Sequence, residues 1–318
     1  MVWIPPAGLM WWLSADRTSP STGMRLENKE MEYRDFVKKD GRQVLALRKE
    51  GSLPLLYYPL LDQKGVVSAF TTRTGGVSKG MFESLNLSFT RGDEPEAVME
   101  NYRRVASAFQ RPVSAIVCSD QTHTTNVLRV DKSFGGCGVT KQKPFSDVDG
   151  LVTDEPGLIL ATFYADCVPL YFVDPVHRAI GLSHSGWRGT VGRMGAVTLE
   201  KMRKEFGTDP GDVYAAVGPS ICQACYEVGT DVADVFYEEF PGHREEILID
   251  KGNGKYQLDL WKCNERILLE AGIRMEHLAV TNICTCCNPS LLFSHRASHG
   301  KRGNLGAFLM LREEKDQY

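Results

Sequence analysis

Three residues with metal-binding or nucleophilic side chains stand in otherwise apolar, strand-like surroundings: His123 in Gln-Thr-His, Cys167 in Ala-Asp-Cys-Val-Pro and His184 in Ser-His-Ser-Gly-Trp-Arg-Gly. Two imidazoles and one thiolate are the donor types of an open zinc site, in which three protein ligands leave the fourth tetrahedral position to water or substrate; structural sites are normally closed by four. The same residues suit a nucleophilic pair, with Cys167 attacking and His184 as its base. Plain packing roles stay open as well, since a Cys between apolar neighbours settles into a core and a His at a strand end bonds to its surroundings. Separations of 44 and 17 residues match no compact metal motif, so spacing does not choose among these readings.

The elements around the three residues decide whether they can meet. Short apolar runs alternate with amphipathic stretches, the rhythm of an α/β protein. Runs 66–72, 115–118, 126–130, 158–163, 168–173, 179–183, 213–217 and 278–283, bounded by Gly, Pro, Asp or Asn, are expected as strands. Stretch 94–109 carries Val98, Tyr102, Val105 and Phe109 at helical spacing, with Asp93 as cap and Pro95 in the first turn. Stretches 190–206, 231–240 and 260–271 are expected as further helices. Cys167 then lies where two apolar strands join and His184 closes the next one. Strand ends held by a sheet are rigid, and the loops leaving them shape pockets.

Charge narrows the partners. With 37 Lys and Arg against 40 Asp and Glu, net charge −3, and no block of like charges, the chain has no electrostatic footprint for a nucleic-acid polymer or a membrane surface. Nine cysteines are an odd number in a chain without a convincing export signal, so disulfides are not expected and the cytoplasm is. The apolar start at Met1 lacks a basic region, contains Pro5 and Pro6 and is too short to span a bilayer. Residues 1–42 are therefore expected as a mobile tail, with Met24 as an alternative start, and residues 43–318 as a single catalytic domain with a sizeable core.

Other residues have weaker claims. Arg73-Thr-Gly-Gly and Trp187-Arg188-Gly each join a guanidinium to a flexible backbone that can approach an anion closely. Asp166 and Gln121 are candidates to hydrogen-bond a ligand or the substrate, and Asp166 equally suits a turn. Cys222-Gln-Ala-Cys225 has structural-zinc spacing, Cys284-Thr-Cys286-Cys287 is less regular, and buried free thiols are the default for both. His177, His243 and His277 fall in polar contexts, and His295 and His299 in a basic, Gly-containing segment.

Longer motifs occur in order along the chain: Ser68-Ala-Phe-Thr-Thr-Arg-Thr-Gly-Gly-Val-Ser-Lys-Gly, Ser84-Leu-Asn-Leu-Ser, Gly92-Asp, Asp149-Gly, Ala165-Asp-Cys-Val-Pro, His184-Ser-Gly-Trp-Arg-Gly, Gly218-Pro-Ser-Ile-Cys, Cys225-Tyr-Glu-Val-Gly, Leu258-Asp-Leu, Cys284-Thr and Phe293-Ser-His-Arg. In these the chain resembles the family variously called laccase-domain or polyphenol-oxidase proteins, peptidoglycan editing factors and zinc-dependent purine nucleoside phosphorylases. The resemblance does not reach the first 40 or so residues.

The resemblance implies an α/β fold, a layered mixed-sheet sandwich with flanking helices, and one active site where His123, Cys167 and His184 hold zinc and carry catalysis. Copper is less expected, because multicopper sites use more His than the seven present and a His-x-His pattern that is absent. It implies phosphorolysis of adenosine, inosine and methylthioadenosine, with nucleoside and phosphate as partners, and leaves adenosine deamination at the same site open. Arg73 is the first candidate to bind phosphate; Arg188 is a substrate contact or a brace for its loop. A monomer or small homo-oligomer is expected. The peptidoglycan name favours instead a Cys167/His184 amide hydrolase acting on a cell-wall precursor, which gives His123 no role. Thr124 and Ser185 depart from the family, which often has a small apolar residue or Gly at the first and Ala at the second; both bear on substrate fit rather than on metal binding.

Overall fold

Strands Val66–Thr71, Val168–Asp174, Ala179–Ser185 and Leu305–Leu311 are buried at every residue, so each needs cover on both faces. The computed structural model, which describes residues 31–313, provides it by stacking two six-stranded mixed sheets. One runs in the order Ala46–Glu50, Leu53–Tyr57, Val66–Thr71, Leu305–Leu311, Ile159–Tyr164, Ile116–Cys118. The other runs Leu278–Val280, Tyr214–Val217, Val168–Asp174, Ala179–Ser185, Gly150–Thr153, Val127–Arg129. A small three-stranded sheet, Glu227–Gly229, Lys255–Leu258 and Leu248–Gly252, stands beside them.

Tyrosines stitch the two inner faces together. Tyr58 and Tyr171 rings lie 5.6 Å apart, and Phe70 meets Tyr164 at 6.1 Å. A buried phenol must place its hydroxyl: Tyr171 donates to the Ala69 carbonyl at 2.9 Å, Tyr58 to Val217 at 2.8 Å and Tyr164 to Ser183 at 3.0 Å. Helix Pro95–Ala108 closes the outer face of the first sheet through Val98, Tyr102 and Val105. Helices Met194–Phe206, Thr230–Glu239 and Leu260–Glu270 close that of the second. The result is the expected layered mixed-sheet sandwich with flanking helices. No helix of the described residues is long and apolar enough to cross a membrane.

Four local expectations are corrected. The stretch 190–206 is not one helix: Trp187–Val191 ends at Gly192, and Arg193 turns left-handed at φ +57° before Met194–Phe206 begins, held by its ion pairs to Glu239 and Glu270. Asp93 does not cap Pro95–Ala108; Glu94 is the capping position, and an Asp93 carboxylate oxygen accepts from Asn86 at 2.9 Å. The central strand Leu305–Leu311 was not foreseen. It begins beside two glycines that resemble a loop, yet a Cβ on Gly306 would overlap the Phe308 ring and the Leu87 side chain. Finally, residues 32–42 are attached to the domain: Phe36 is buried, Val37 exchanges two hydrogen bonds with Asn288, and Lys39 donates to Asn282. The compact unit therefore starts at Glu32 rather than at 43. The expected tail before residue 31 lies outside the described residues.

Removing the Tyr171 hydroxyl strands a buried carbonyl between the sheets. Tyr171→Phe is expected to lower unfolding free energy by about 1–2 kcal/mol, read as an earlier midpoint in urea titration with unchanged far-ultraviolet circular dichroism.

Candidate active site

The chain crosses from the first sheet to the second twice, at the same end of the sandwich. Ile116–Cys118 leads through residues 119–126 into Val127–Arg129, and Ile159–Tyr164 leads through residues 165–167 into Val168–Asp174. The first crossing carries His123 and the second Cys167. His184 comes from the adjacent strand, whose last residue Ser185 pairs with Val168. One donor atom from each of the three falls within 4.8 Å of the others. For comparison, tetrahedral zinc with N and S donors holds them about 3.3–3.8 Å apart. His123 is exposed, Cys167 half-buried and His184 buried, so the set opens towards solvent on the His123 side.

Asp149, fully buried at the mouth of Gly150–Thr153, organises this triangle. Its Oδ1 accepts from His184 Nδ1 at 2.8 Å and from the His123 amide at 3.1 Å. Its Oδ2 accepts from the amides of Thr122 and Thr124 at 3.0 and 2.9 Å and from Thr124 Oγ1 at 3.0 Å. A carboxylate surrounded by amides bends the 122–124 loop around itself, which is how His123 is held at φ +67°, a region costly for a residue with a Cβ. Bonding His184 through Nδ1 points Nε2 at the other two side chains, so that its lone pair serves a ligand once the Nε2 proton is released, the arrangement in which a carboxylate orients a metal-binding imidazole.

Electrostatics agree with the geometry. Burial pushes the Cys167 thiol up, but the His184 charge and the hydrogen bonds from His123 and His184 outweigh it and bring it down to about 6. Burial pulls His184 down, while the Cys167 charge and the bonds to Asp149 and Cys167 carry it up to about 9. Burial would raise Asp149, yet His184 and the amides of Thr124 and Thr122 hold it below the usual carboxylate range. Gly186 packs against all three donors: a Cβ there would stand 3.1 Å from His123 Cδ2, 3.3 Å from Cys167 Sγ and 3.7 Å from His184 Cε1.

The donors line a cavity of about 500 Å³. Phe89, Tyr102, Phe163 and Tyr164 give it an aromatic side, and Arg91, Lys143 and Arg302 a basic one. Lys143 is paired with Asp120. Arg91 donates to the carbonyls of Arg302 and Gly300 at 3.2 and 3.1 Å, and Arg302 to Gly303 O and Asn304 Oδ1, so both guanidiniums keep their charge for another anion. Burial and the repulsion of Arg91 bring Arg302 down to about 10.

Of the residues singled out in the sequence, the structure brings His123, Cys167 and His184 together, and places the others differently. Arg73 does not line this cavity: it donates to the carbonyls of Glu83 and Pro289, each at 2.8 Å, and lies over the Phe293 ring. Arg188 is exposed, lies over Trp187 and is outside the cavity as well. Gln121 lines the cavity but clamps Phe163, accepting from its amide and donating to its carbonyl, each at 2.7 Å. Asp166, at φ +96°, accepts from Thr285 and from the Arg296 amide rather than touching a donor imidazole. Thr124 braces Asp149, and Ser185 bonds to Thr190 and Asn264 beneath the site. His177, His243, His277, His295 and His299 are not among the cavity residues. Asp149 was visible only as the motif Asp149-Gly, and Arg302 only as part of a basic stretch.

A family model described as multi-copper polyphenol oxidoreductase laccase matches residues 67–312. The chain belongs to this family. Among its relatives, the purine nucleoside phosphorylase YlmD of Geobacillus stearothermophilus is 40% identical over 253 residues, 79% of this chain and 92% of its own. Adenosine deaminase RL5, from an unknown prokaryotic organism, is 32% identical over 232 residues, 72% of this chain and 88% of its own. The crystal structure of Geobacillus stearothermophilus YlmD superimposes with a TM-score of 0.79 at 35% identity, covering 86% of this chain and all of that one.

Asp149→Asn places an amide that can donate where only acceptance is tolerated, and is expected to weaken metal retention or turnover about 10–100-fold, measured by metal analysis after gel filtration. In protein stripped of metal, Cys167 should remain reactive at neutral pH. Labelling of this thiol by iodoacetamide is expected to fall only as pH drops through about 6, followed by peptide mass spectrometry.

Proposed function

We propose that this protein is a zinc-dependent purine nucleoside phosphorylase acting on adenosine, inosine and methylthioadenosine, with adenosine deamination as a second activity of the same site. The observation that carries the reading is one cavity with three side chains able to hold a metal, an aromatic side and two guanidiniums not paired to carboxylates among the described residues. Relatives named purine nucleoside phosphorylase and adenosine deaminase support it.

His123, Cys167 and His184 would hold the ion. When bound there, zinc supplies a Lewis-acidic positive charge, moderated by one thiolate, next to the reacting groups. Asp149 orients the His184 imidazole through Nδ1 and fixes the backbone of His123 through its amide. Arg302 and Arg91 bind phosphate and present one of its oxygens to the sugar carbon. That carbon–oxygen bond forms as the glycosidic carbon–nitrogen bond breaks, and the purine leaves with the bonding pair and takes up a proton from dihydrogen phosphate or solvent. Phe163, Tyr164, Phe89 and Tyr102 offer flat apolar surface to the base and exclude water. The family description names copper, but a blue-copper centre adds an axial Met or similar weak ligand and multicopper sites need further His residues; among the described residues no Met and no third His lines this cavity. The nine free thiols suit a reducing compartment such as the cytoplasm, and a monomer or small homo-oligomer is the expected state.

A second reading rests on one further observation: Cys167, His184 and Asp149 also form a nucleophile, base and orienting carboxylate. An amide hydrolase of that type leaves His123 unused.

A nucleoside panel assayed with and without phosphate separates the two. Phosphate-dependent release of free base, lost in His123→Ala, Cys167→Ala and His184→Ala together with bound metal, is the expected result. Activity that survives chelation but not thiol alkylation gives the hydrolase instead. Arg302→Ala is expected to raise KM for phosphate about tenfold or more with a smaller change in KM for nucleoside, by steady-state kinetics.

A further inference from the structure

A second group of donors lies away from this cavity and is not used by the reaction proposed above. Tyr214–Val217 and Leu278–Val280 are parallel neighbours in the second sheet, so the loops that follow them leave side by side. One carries Cys222 and Cys225, the other Cys284 and Cys287. Cys286 interrupts the spacing in the sequence, but the fold selects Cys284 and Cys287, giving two Cys-x-x-Cys turns facing each other. The four Sγ atoms lie within 4.8 Å of one another. A tetrahedron of thiolates around zinc at about 2.3 Å has edges of about 3.8 Å, and Cys225 and Cys287 are already 3.5 Å apart. That separation is far from a disulfide bond of about 2.05 Å.

The surroundings also point to a ligand. Ser220 bridges Cys284, and the Thr285 amide donates to Ser220 O at 3.1 Å, locking the turns in register. The Cys222 amide donates to Cys284 Sγ at 3.3 Å, a bond that stabilises a thiolate. The Lys39 ammonium is held protonated by the nearby Cys287 and Cys222, a positive charge that offsets what four thiolates around a divalent ion leave behind. Cys222 and Cys284 are buried, while Cys225 and Cys287 are half-buried.

We propose that Cys222, Cys225, Cys284 and Cys287 form a closed four-thiolate site that binds one zinc ion as a structural clamp. Binding releases the protons that the remaining thiols still carry, Cys222 being already brought down to about 5 by its bond with Cys284, and leaves no position for substrate. The clamp braces the catalytic crossing, because the Ile221 amide donates to Asp166 O at 3.0 Å and Thr285 Oγ1 to Asp166 Oδ1 at 2.6 Å, next to Cys167. It also pins residues 37–40 through Lys39 and the bond from Lys39 to Asn282.

Zinc counting on the full chain, purified reduced and without chelator, tests this independently of the proposed activity. Wild type is expected to hold about two zinc ions, Cys167→Ala about one, and Cys222→Ser/Cys225→Ser about one with a lower Tm. In Cys167→Ala protein, mercurial titration should release that zinc as four thiols react, a readout that stands even if the double variant does not fold. Cobalt loaded into the same protein should show intense thiolate-to-metal charge transfer. Cys167→Ala protein that holds no zinc, or whose mass shows a disulfide between the two turns, overturns the proposal.

Discussion

One buried carboxylate sets the geometry on which the site depends. Asp149 receives three consecutive amides from the 122–124 loop and one imidazole N–H from His184, so the two histidines cannot be positioned independently. Removing a carboxylate from water is costly unless its lone pairs are met, and here they are met by the groups that must be aimed. The thermodynamic demand for satisfaction and the mechanistic demand for orientation therefore coincide. Gly186 completes the arrangement from the other side by leaving room for the sulfur and both rings.

The fold places this carboxylate where two sheets meet. His123 and Cys167 both lie on segments passing from one sheet to the other, and His184 on a strand of the second sheet. Donors drawn from both layers are fixed by sheet packing, including the tyrosine hydroxyls that cross between inner faces. The same packing explains how a half-buried thiol can lie beside two imidazoles and lose its proton readily: the cost of burial is exceeded by neighbours that do not move.

Much of this was legible in the sequence. Seven expected strands recur within a residue or two of their bounds, because buried runs such as Val168–Asp174 and Ala179–Ser185 are apolar throughout. His123, Cys167 and His184 were recognisable from the wording around them. What failed were relations between distant segments. Asp149 bonds to residues about 25 positions earlier and 35 later, and no local pattern records that. Arg73 looked suited to an anion because Arg followed by two glycines is what an anion loop uses, yet the same residues make a turn, and its guanidinium clamps two carbonyls. The strand Leu305–Leu311 was obscured by glycines whose purpose is to admit the rings of its neighbours. The pairing of the two cysteine turns depended on parallel registration of strands some 60 residues apart.

The basic rim of the cavity is built separately from the donors. Arg91 and Arg302 belong to segments that bond mainly to each other, through Arg91 to Arg302 O, Leu87 to Asn304 O and Asn304 to Asn86, and not to Asp149. Selection can therefore rework what enters without disturbing what reacts.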